Sequence, residues 1–208
     1  MICILMVSVD EAKKFITNCC GVPLYKLDSA GDLDYNSTYW RVGKYNGPPG
    51  YLKKFIPPQG WTAVGLKVLN CYDGGNNDWL GTSNINGEWY IGYHGVKTTS
   101  AIYNICYDGF KKGPGQGEQH SNNSNSLTNS YSSQCGVGAY FAQNINTAAS
   151  YSSPIPYNGK NYRVVFMCRI NPHSARISNQ GIDNDYMITN GDYNTKNEAR
   201  PYRILVKA

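Results

Sequence analysis

Charge is scarce in this chain. Asp, Glu, Lys and Arg together make up 16% of 208 residues, against roughly a quarter in an average soluble protein. The 19 Lys and Arg exceed the 14 Asp and Glu to give a formal net charge of +5, but they are dispersed, with no basic block of the kind that grips nucleic acid or an anionic membrane. Histidine is scarcer still, at three residues, which leaves imidazole chemistry few places to sit. No pair of the seven cysteines has C-x-x-C spacing, so four thiolates have no sequence signal for converging on zinc. Their odd number and irregular spacing read as reduced thiols in a cytosolic setting, with disulfides in a secreted form as the alternative. The apolar start, Ile2–Val9, has no basic region before it and is shorter than the ~20 apolar residues of a membrane span; the expectation is a soluble chain. What is abundant is Gly (22), Tyr (18), Asn and Ser, with 41% hydrophobic residues. That much apolar content excludes an intrinsically disordered chain.

Turn signals divide the sequence. Gly47-Pro48-Pro49-Gly50 and then Pro57-Pro58-Gln59-Gly60 set off an N-terminal accessory region, residues 1–56, from a main domain, residues 57–208. In the first, Asp10–Asn18 reads as a short helix capped by Asp10. In the second, the β-branched and aromatic runs Trp61–Asn70, Glu88–Tyr93, Gly136–Ala142, Asn161–Ile170, Asp185–Thr189 and Pro201–Lys207 predict strands. Thr98–Tyr107 and Ile145–Tyr151 predict short helices. Gly109–Cys135 is a long Gly/Ser/Asn segment with almost nothing to bury, which in a compact domain points to a functional or disordered loop. About six strands without a βαβ rhythm argue for an α+β fold with a mainly antiparallel sheet.

One ordered set stands out: Tyr93-His94-Gly95 at the end of a strand, a helix, a loop, then Gly136-Val137-Gly138-Ala139-Tyr140-Phe141-Ala142, a helix ending at Tyr151, and a late acidic residue opening a strand. This order resembles the poly(ADP-ribose) polymerase-like ADP-ribosyltransferases over residues 61–208, with the spacing of Tyr140 and Tyr151 its most specific part. The phrases GLKVLN, EWYIGYHGV and EARPYRIL are further similar to a subgroup that includes bacterial effectors modifying ubiquitin on threonine. The resemblance implies the ADP-ribosyltransferase fold, with split, mainly antiparallel sheets and short flanking helices, and NAD+ as substrate. It places the chain in a cytosol, the host cell's if the protein is a secreted effector.

The roles it implies are specific. His94 would hydrogen-bond the adenosine ribose, Gly95 would pair its backbone with the nicotinamide amide, Tyr151 would stack on the nicotinamide ring and Tyr140 would wall the other side. Gly136 and Gly138 serve either ligand approach or the turn itself. Breaking the nicotinamide–ribose bond develops positive charge, which a carboxylate stabilises. Two are candidates: Asp185, where the polymerases have Glu, and Glu198, just before the last strand. One would stabilise the ribosyl cation or hold its 2′-hydroxyl, and the other deprotonate the acceptor. The bland alternatives are a strand-start cap for Asp185 and a turn residue paired with Arg200 for Glu198. Two departures weaken the match. Ala148 stands where the family often has a Ser on the nicotinamide amide, leaving Thr147 or backbone to compensate, and Asp185 is one methylene short. The shorter acid argues against chain elongation and for transfer of a single ADP-ribose to a protein, with a threonine of ubiquitin implied by the effector subgroup. Arg41, among Tyr39, Trp40 and Val42, either packs on aromatic faces or touches the NAD+ diphosphate. Competing readings are a catalytically silent transferase fold and a carbohydrate- or nucleotide-binding module, for which Tyr, Trp and Asn on a weakly charged surface suffice.

Overall fold

The computed structural model describes residues 6–35, 45–110, 139–178, 186–189 and 197–208, without side chains for 176–178. Arg41, Gly136, Gly138, Asp185, most of the Gly109–Cys135 segment and the turn before Asn197 lie outside the described residues.

The first helix, α1 (Val9–Lys14), starts one residue earlier than its sequence signal. Its cap is Ser8, whose hydroxyl accepts from the Glu11 N–H at 3.2 Å. Asp10 and Glu11 instead fill the first turn, where negative charge suits the helix dipole. A π-helical turn, Phe15–Cys19, follows and buries Phe15 and Ile16. Then come β1 (Leu33–Asp34), β2 (Tyr45–Asn46), β3 (Lys53–Lys54) and β4 (Thr62–Gly65). The second half runs β5 (Tyr90–Val96), α2 (Thr99–Asp108), β6 (Tyr140–Ala142), α3 (Ile145–Ser150) and β7 (Ile155–Tyr157). It ends with β8 (Lys160–Ile170), β9 (Arg176–Ser178), β10 (Tyr186–Ile188) and β11 (Ala199–Lys207). Every described strand pairing is antiparallel, so the chain is α+β with a mainly antiparallel sheet and few short helices.

The main sheet has the order β1-β4-β11-β8-β5-β6-β10-β9, with β7 also on β8. β8 is its spine. Val164–Ile170 is buried at every position, because β5 and β11 flank it and both faces are covered. Pro201 sits in β11 at a register shift before Arg203; proline has no N–H for the ladder, and a bulge accommodates it.

The sheet crosses the break expected at residue 56. β1 pairs with β4, and one hydrophobic cluster runs from Val7, Phe15 and Ile16 through Val64 and Phe166 to Val206. The same contact ends β4 early, at Gly65 rather than Asn70. A Cβ on Gly65 would lie 2.3 Å from the Asp28 carbonyl oxygen and 2.6 Å from Gly31 Cα, so the backbones cross where only glycine fits. Among the described residues the five cysteines, Cys19, Cys20, Cys71, Cys106 and Cys168, are free thiols. No described helix is long and apolar enough to cross a membrane.

Candidate active site at the parting of β5 and β6

β5 continues through His94 and Gly95 to Val96 instead of ending before them. It stays paired with β8 over its whole length, while its register with β6 contains the single pair Tyr93↔Ala142. Backbone direction alternates along a strand, and the hydrogen bonds fix the phase here. Ala139 turns both groups away from β5: its N–H donates to Thr189 Oγ1 and its carbonyl accepts from the Thr189 N–H, both at 3.1 Å. Tyr140 therefore faces β5, and its carbonyl accepts from His94 Nδ1 at 2.8 Å. By alternation Ala142 and its partner Tyr93 face each other, and Gly95, two residues on, presents its N–H and C=O to the β6 side too. The register would set Gly95 opposite Tyr140, but that carbonyl is held by the His94 ring. A donor and an acceptor on one residue thus face the gap where the ladder has stopped.

His94 is half-buried, its ring edge-on to Phe110 at 4.9 Å and tilted on Phe141 at 5.5 Å. A carbonyl oxygen can only accept, so Nδ1 carries the hydrogen and Nε2 of the neutral ring is an acceptor. Burial among these aromatics lowers the imidazole pKa below its ordinary value of 6.5, outweighing the bond to Tyr140, which raises it. The folded state therefore binds fewer protons than the unfolded one just below that value. Stability is full above about pH 6.5 and falls as the pH drops from there. Glu11 and Asp73, both held below the ordinary carboxylate values of 4.5 and 3.8, act at lower pH. Melting temperature should fall as the pH drops below 6.5 in the wild type and stay flatter in His94→Gln; parallel curves would remove His94 as the cause.

α3 explains why position 95 is glycine. A Cβ there would lie 2.0 Å from the Ala148 carbonyl oxygen and 3.1 Å from Ser152 N, so the C-terminal end of the helix rests on the strand. Asn144 starts α3 by accepting from the Asn146 N–H at 2.9 Å, and Tyr151 closes it with its N–H on the Ala148 carbonyl at 3.1 Å. Tyr151 lies in sequence between the Ala148 and Ser152 contacts, so its backbone is held close to Gly95. Its hydroxyl lies 3.4 Å from that of Tyr186, and the Tyr186 ring meets Tyr140 edge-on at 6.3 Å. Tyr186 and Phe110 were not singled out by sequence, since among so many aromatics neither carries a motif. Ala148, at 2% exposure, is a packing position against Gly95.

The hairpin β2–β3 covers the other side of the Tyr93↔Ala142 rung. Asn46 is buried and accepts from the Ile91 N–H at 2.7 Å, Gln143 Nε2 donates to the Lys54 carbonyl at 3.0 Å, and the Tyr93 hydroxyl donates to the Ile56 carbonyl at 2.7 Å.

Of the residues picked from sequence, the structure brings together His94, Gly95, Tyr140 and Tyr151. Glu198 stands elsewhere. It precedes Ala199, which pairs with Ile170, which in turn pairs with Tyr90. That is two strands across from β5, about 10 Å, and about 13 Å along it from His94. Glu198 is half-buried, and its carbonyl accepts from the Asn171 N–H at 2.8 Å. Arg200 directs its guanidinium to Asp73, with bonds of 2.7 and 2.8 Å, inside a ring formed by Tyr72, Trp79 and Trp89. Asp185 lies outside the described residues, although Tyr186, its neighbour in sequence, belongs to the tyrosine cluster. No protein-family model matches the chain, and no curated protein matches it significantly.

Proposed function

We propose that the chain is a PARP-like mono-ADP-ribosyltransferase that uses NAD+ and releases nicotinamide, built on the split-sheet ADP-ribosyltransferase fold. The observation that carries this is the open backbone rung of Gly95, set between a neutral histidine and three tyrosines. Nicotinamide is a flat ring with a primary carboxamide, which needs one donor, one acceptor and an aromatic face. Gly95 supplies the first two and Tyr151 the third, with Tyr140 closing the other side. His94 Nε2 accepts from a hydroxyl of the adenosine ribose. The bond from ribose C1′ to the ring nitrogen breaks with its electron pair leaving on nicotinamide. An acceptor oxygen then bonds to C1′ as its proton passes to a carboxylate. We assign that carboxylate to Asp185 ahead of Glu198, because Asp185 adjoins Tyr186 while Glu198 sits at the far end of the sheet. The acceptor is a protein side-chain hydroxyl, and the sequence resemblance favours a threonine of ubiquitin; the β2–β3 hairpin is a surface able to select it.

Incubation with NAD+ should release nicotinamide, and mass spectrometry should show ubiquitin gaining one ADP-ribose. Asp185→Asn should lower nicotinamide release by about 10²-fold or more, the usual effect of deleting a transition-state charge partner, while Glu198→Gln stays within a few-fold of wild type. Binding of NAD+ without any nicotinamide release would instead make the chain a silent nucleotide binder. If ubiquitin stays unmodified while nicotinamide is released, the acceptor assignment fails and the transferase chemistry stands.

A further inference from the structure

Tyr186 links two elements of the candidate site that the sheet ladder does not join. It opens β10, where it pairs with Ala142 of β6, and Ala142 pairs in turn with Tyr93 of β5. Directly opposite residues of an antiparallel sheet share a face. Tyr186, Ala142 and Tyr93 therefore do so, and with them Tyr140 and Gly95, each two residues along its own strand. α3 lies on that same face, with the Ala148 carbonyl against Gly95. Tyr151 reaches over from the end of the helix and Tyr186 from the sheet, and their hydroxyls come within 3.4 Å. The Tyr186 ring also stands edge-on to Tyr140, with centroids 6.3 Å apart and planes at 75°. One residue thus touches both Tyr151 and Tyr140, the first through its hydroxyl and the second through its ring.

We propose that Tyr186 is a positioning residue that sets the spacing and tilt of the Tyr151 ring relative to Tyr140, and so the width of the slot offered to a planar aromatic ring. This rests on the transferase reading above, in which that ring is nicotinamide and Tyr151 stacks on it. A tyrosine ring turns about two side-chain torsions, and a stacking face binds best when its orientation is fixed in advance. The helix holds Tyr151 by its backbone; the Tyr186 hydroxyl holds the opposite end of the side chain. At 3.4 Å the contact is long for two hydroxyls, and polar contacts of this kind tighten as a substrate seats. Tyr186 touches no reacting atom in this account and acts through Tyr151.

The test is a cycle of Tyr186→Phe and Tyr151→Phe, singly and together in the full chain, read by steady-state nicotinamide release from NAD+ and by melting. Tyr186→Phe keeps the ring and the strand and removes only the hydroxyl. It should raise KM for NAD+ about threefold to tenfold, the loss of one neutral hydrogen bond, with a smaller change in kcat. In the Tyr151→Phe background the same substitution should have almost no effect, because the partner hydroxyl is already gone. Melting should change little, since the pair is only part-buried. An unchanged KM in Tyr186→Phe overturns the positioning role and leaves the transferase reading in place. An equal rise in KM with and without the Tyr151 hydroxyl also overturns it, by showing that Tyr186 does not act through Tyr151. A wild type that releases no nicotinamide overturns both.

Discussion

Gly95→Ala should melt well below wild type and lose nearly all NAD+ turnover. The added methyl would lie 2.0 Å from the Ala148 carbonyl oxygen, more than 1 Å inside van der Waals contact. The obstacle is backbone, so no rotamer change relieves it; either α3 lifts or β5 bends. Overpacking of this kind costs about 1–3 kcal/mol, which in a domain of about 200 residues lowers Tm by about 2–12 °C. Activity should suffer more than stability. α3 ends in Tyr151, whose placement depends on the same contact, and misplacing a positioning group by about 1 Å costs on the order of 10²-fold. Gly92→Ala is the control. It lies on the same strand, but its Cβ would meet Met187 Cε at 2.9 Å, Phe141 Cβ at 3.0 Å and Ile170 Cγ1 at 3.1 Å, a much milder overlap than the one at Gly95. Calorimetric melting and nicotinamide release on both variants decide the matter. A Gly95→Ala protein that melts and turns over like wild type would mean that α3 is not seated on this strand.

Much of the framework was legible because it depends on local pattern. The apolar run of β8 and the start of α2, where the Thr98 hydroxyl caps the Ala101 N–H at 3.2 Å, follow from residues close in sequence. So does the end of α3 at Tyr151. The misplacements come from contacts between distant residues. His94-Gly95 reads as a strand stop because glycine weakens strands; here the strand runs on, because a helix some fifty residues later needs the missing side chain. Ser8 and Asp10 are equally good caps by type, and only the backbone decides between them. The Pro57-Pro58 punctuation suggests a boundary, yet β1 pairs with β4 across it. Arg200 pairs with Asp73, 127 residues away, inside an aromatic ring that no spacing announces. For the candidate site, the ordered motif located the four residues that cluster. It could not place Glu198, since position along a strand depends on register, and register follows the whole sheet.

The second large effect concerns two charges that the sequence, so poor in charge, places inside. Arg169 is 2% exposed and Glu88 is fully buried. Arg169 donates to the carbonyls of Trp89 at 2.8 Å, Leu80 at 2.7 Å and Gly81 at 2.9 Å. Glu88 accepts from the N–H groups of Ser83 at 2.7 Å and Asn84 at 3.0 Å, and burial lowers the Arg169 pKa while Tyr202 and Glu88 oppose that shift. Together they hold the segment before β5 against the sheet. Arg169→Met should therefore cost about 3–5 kcal/mol, because three buried carbonyls lose their donors and Glu88 loses a favourable neighbouring charge. That is a large share of a total stability of about 5–15 kcal/mol and should appear as a lower Tm and urea midpoint. Glu88→Gln keeps an oxygen for only one of the Ser83 and Asn84 N–H groups and sets an amide donor against the other, so it should cost stability by itself; the double variant should lose less than the sum of the two single losses, with a coupling of about 1 kcal/mol or more. Strict additivity would show that the two charges do not act on each other. Because this pair lies at the Tyr90 end of β5, nicotinamide release per folded molecule should change little at temperatures where the variant is folded. Gly95→Ala should do the opposite, losing far more turnover than stability, and that contrast locates the chemistry at one end of a strand whose other end only anchors it.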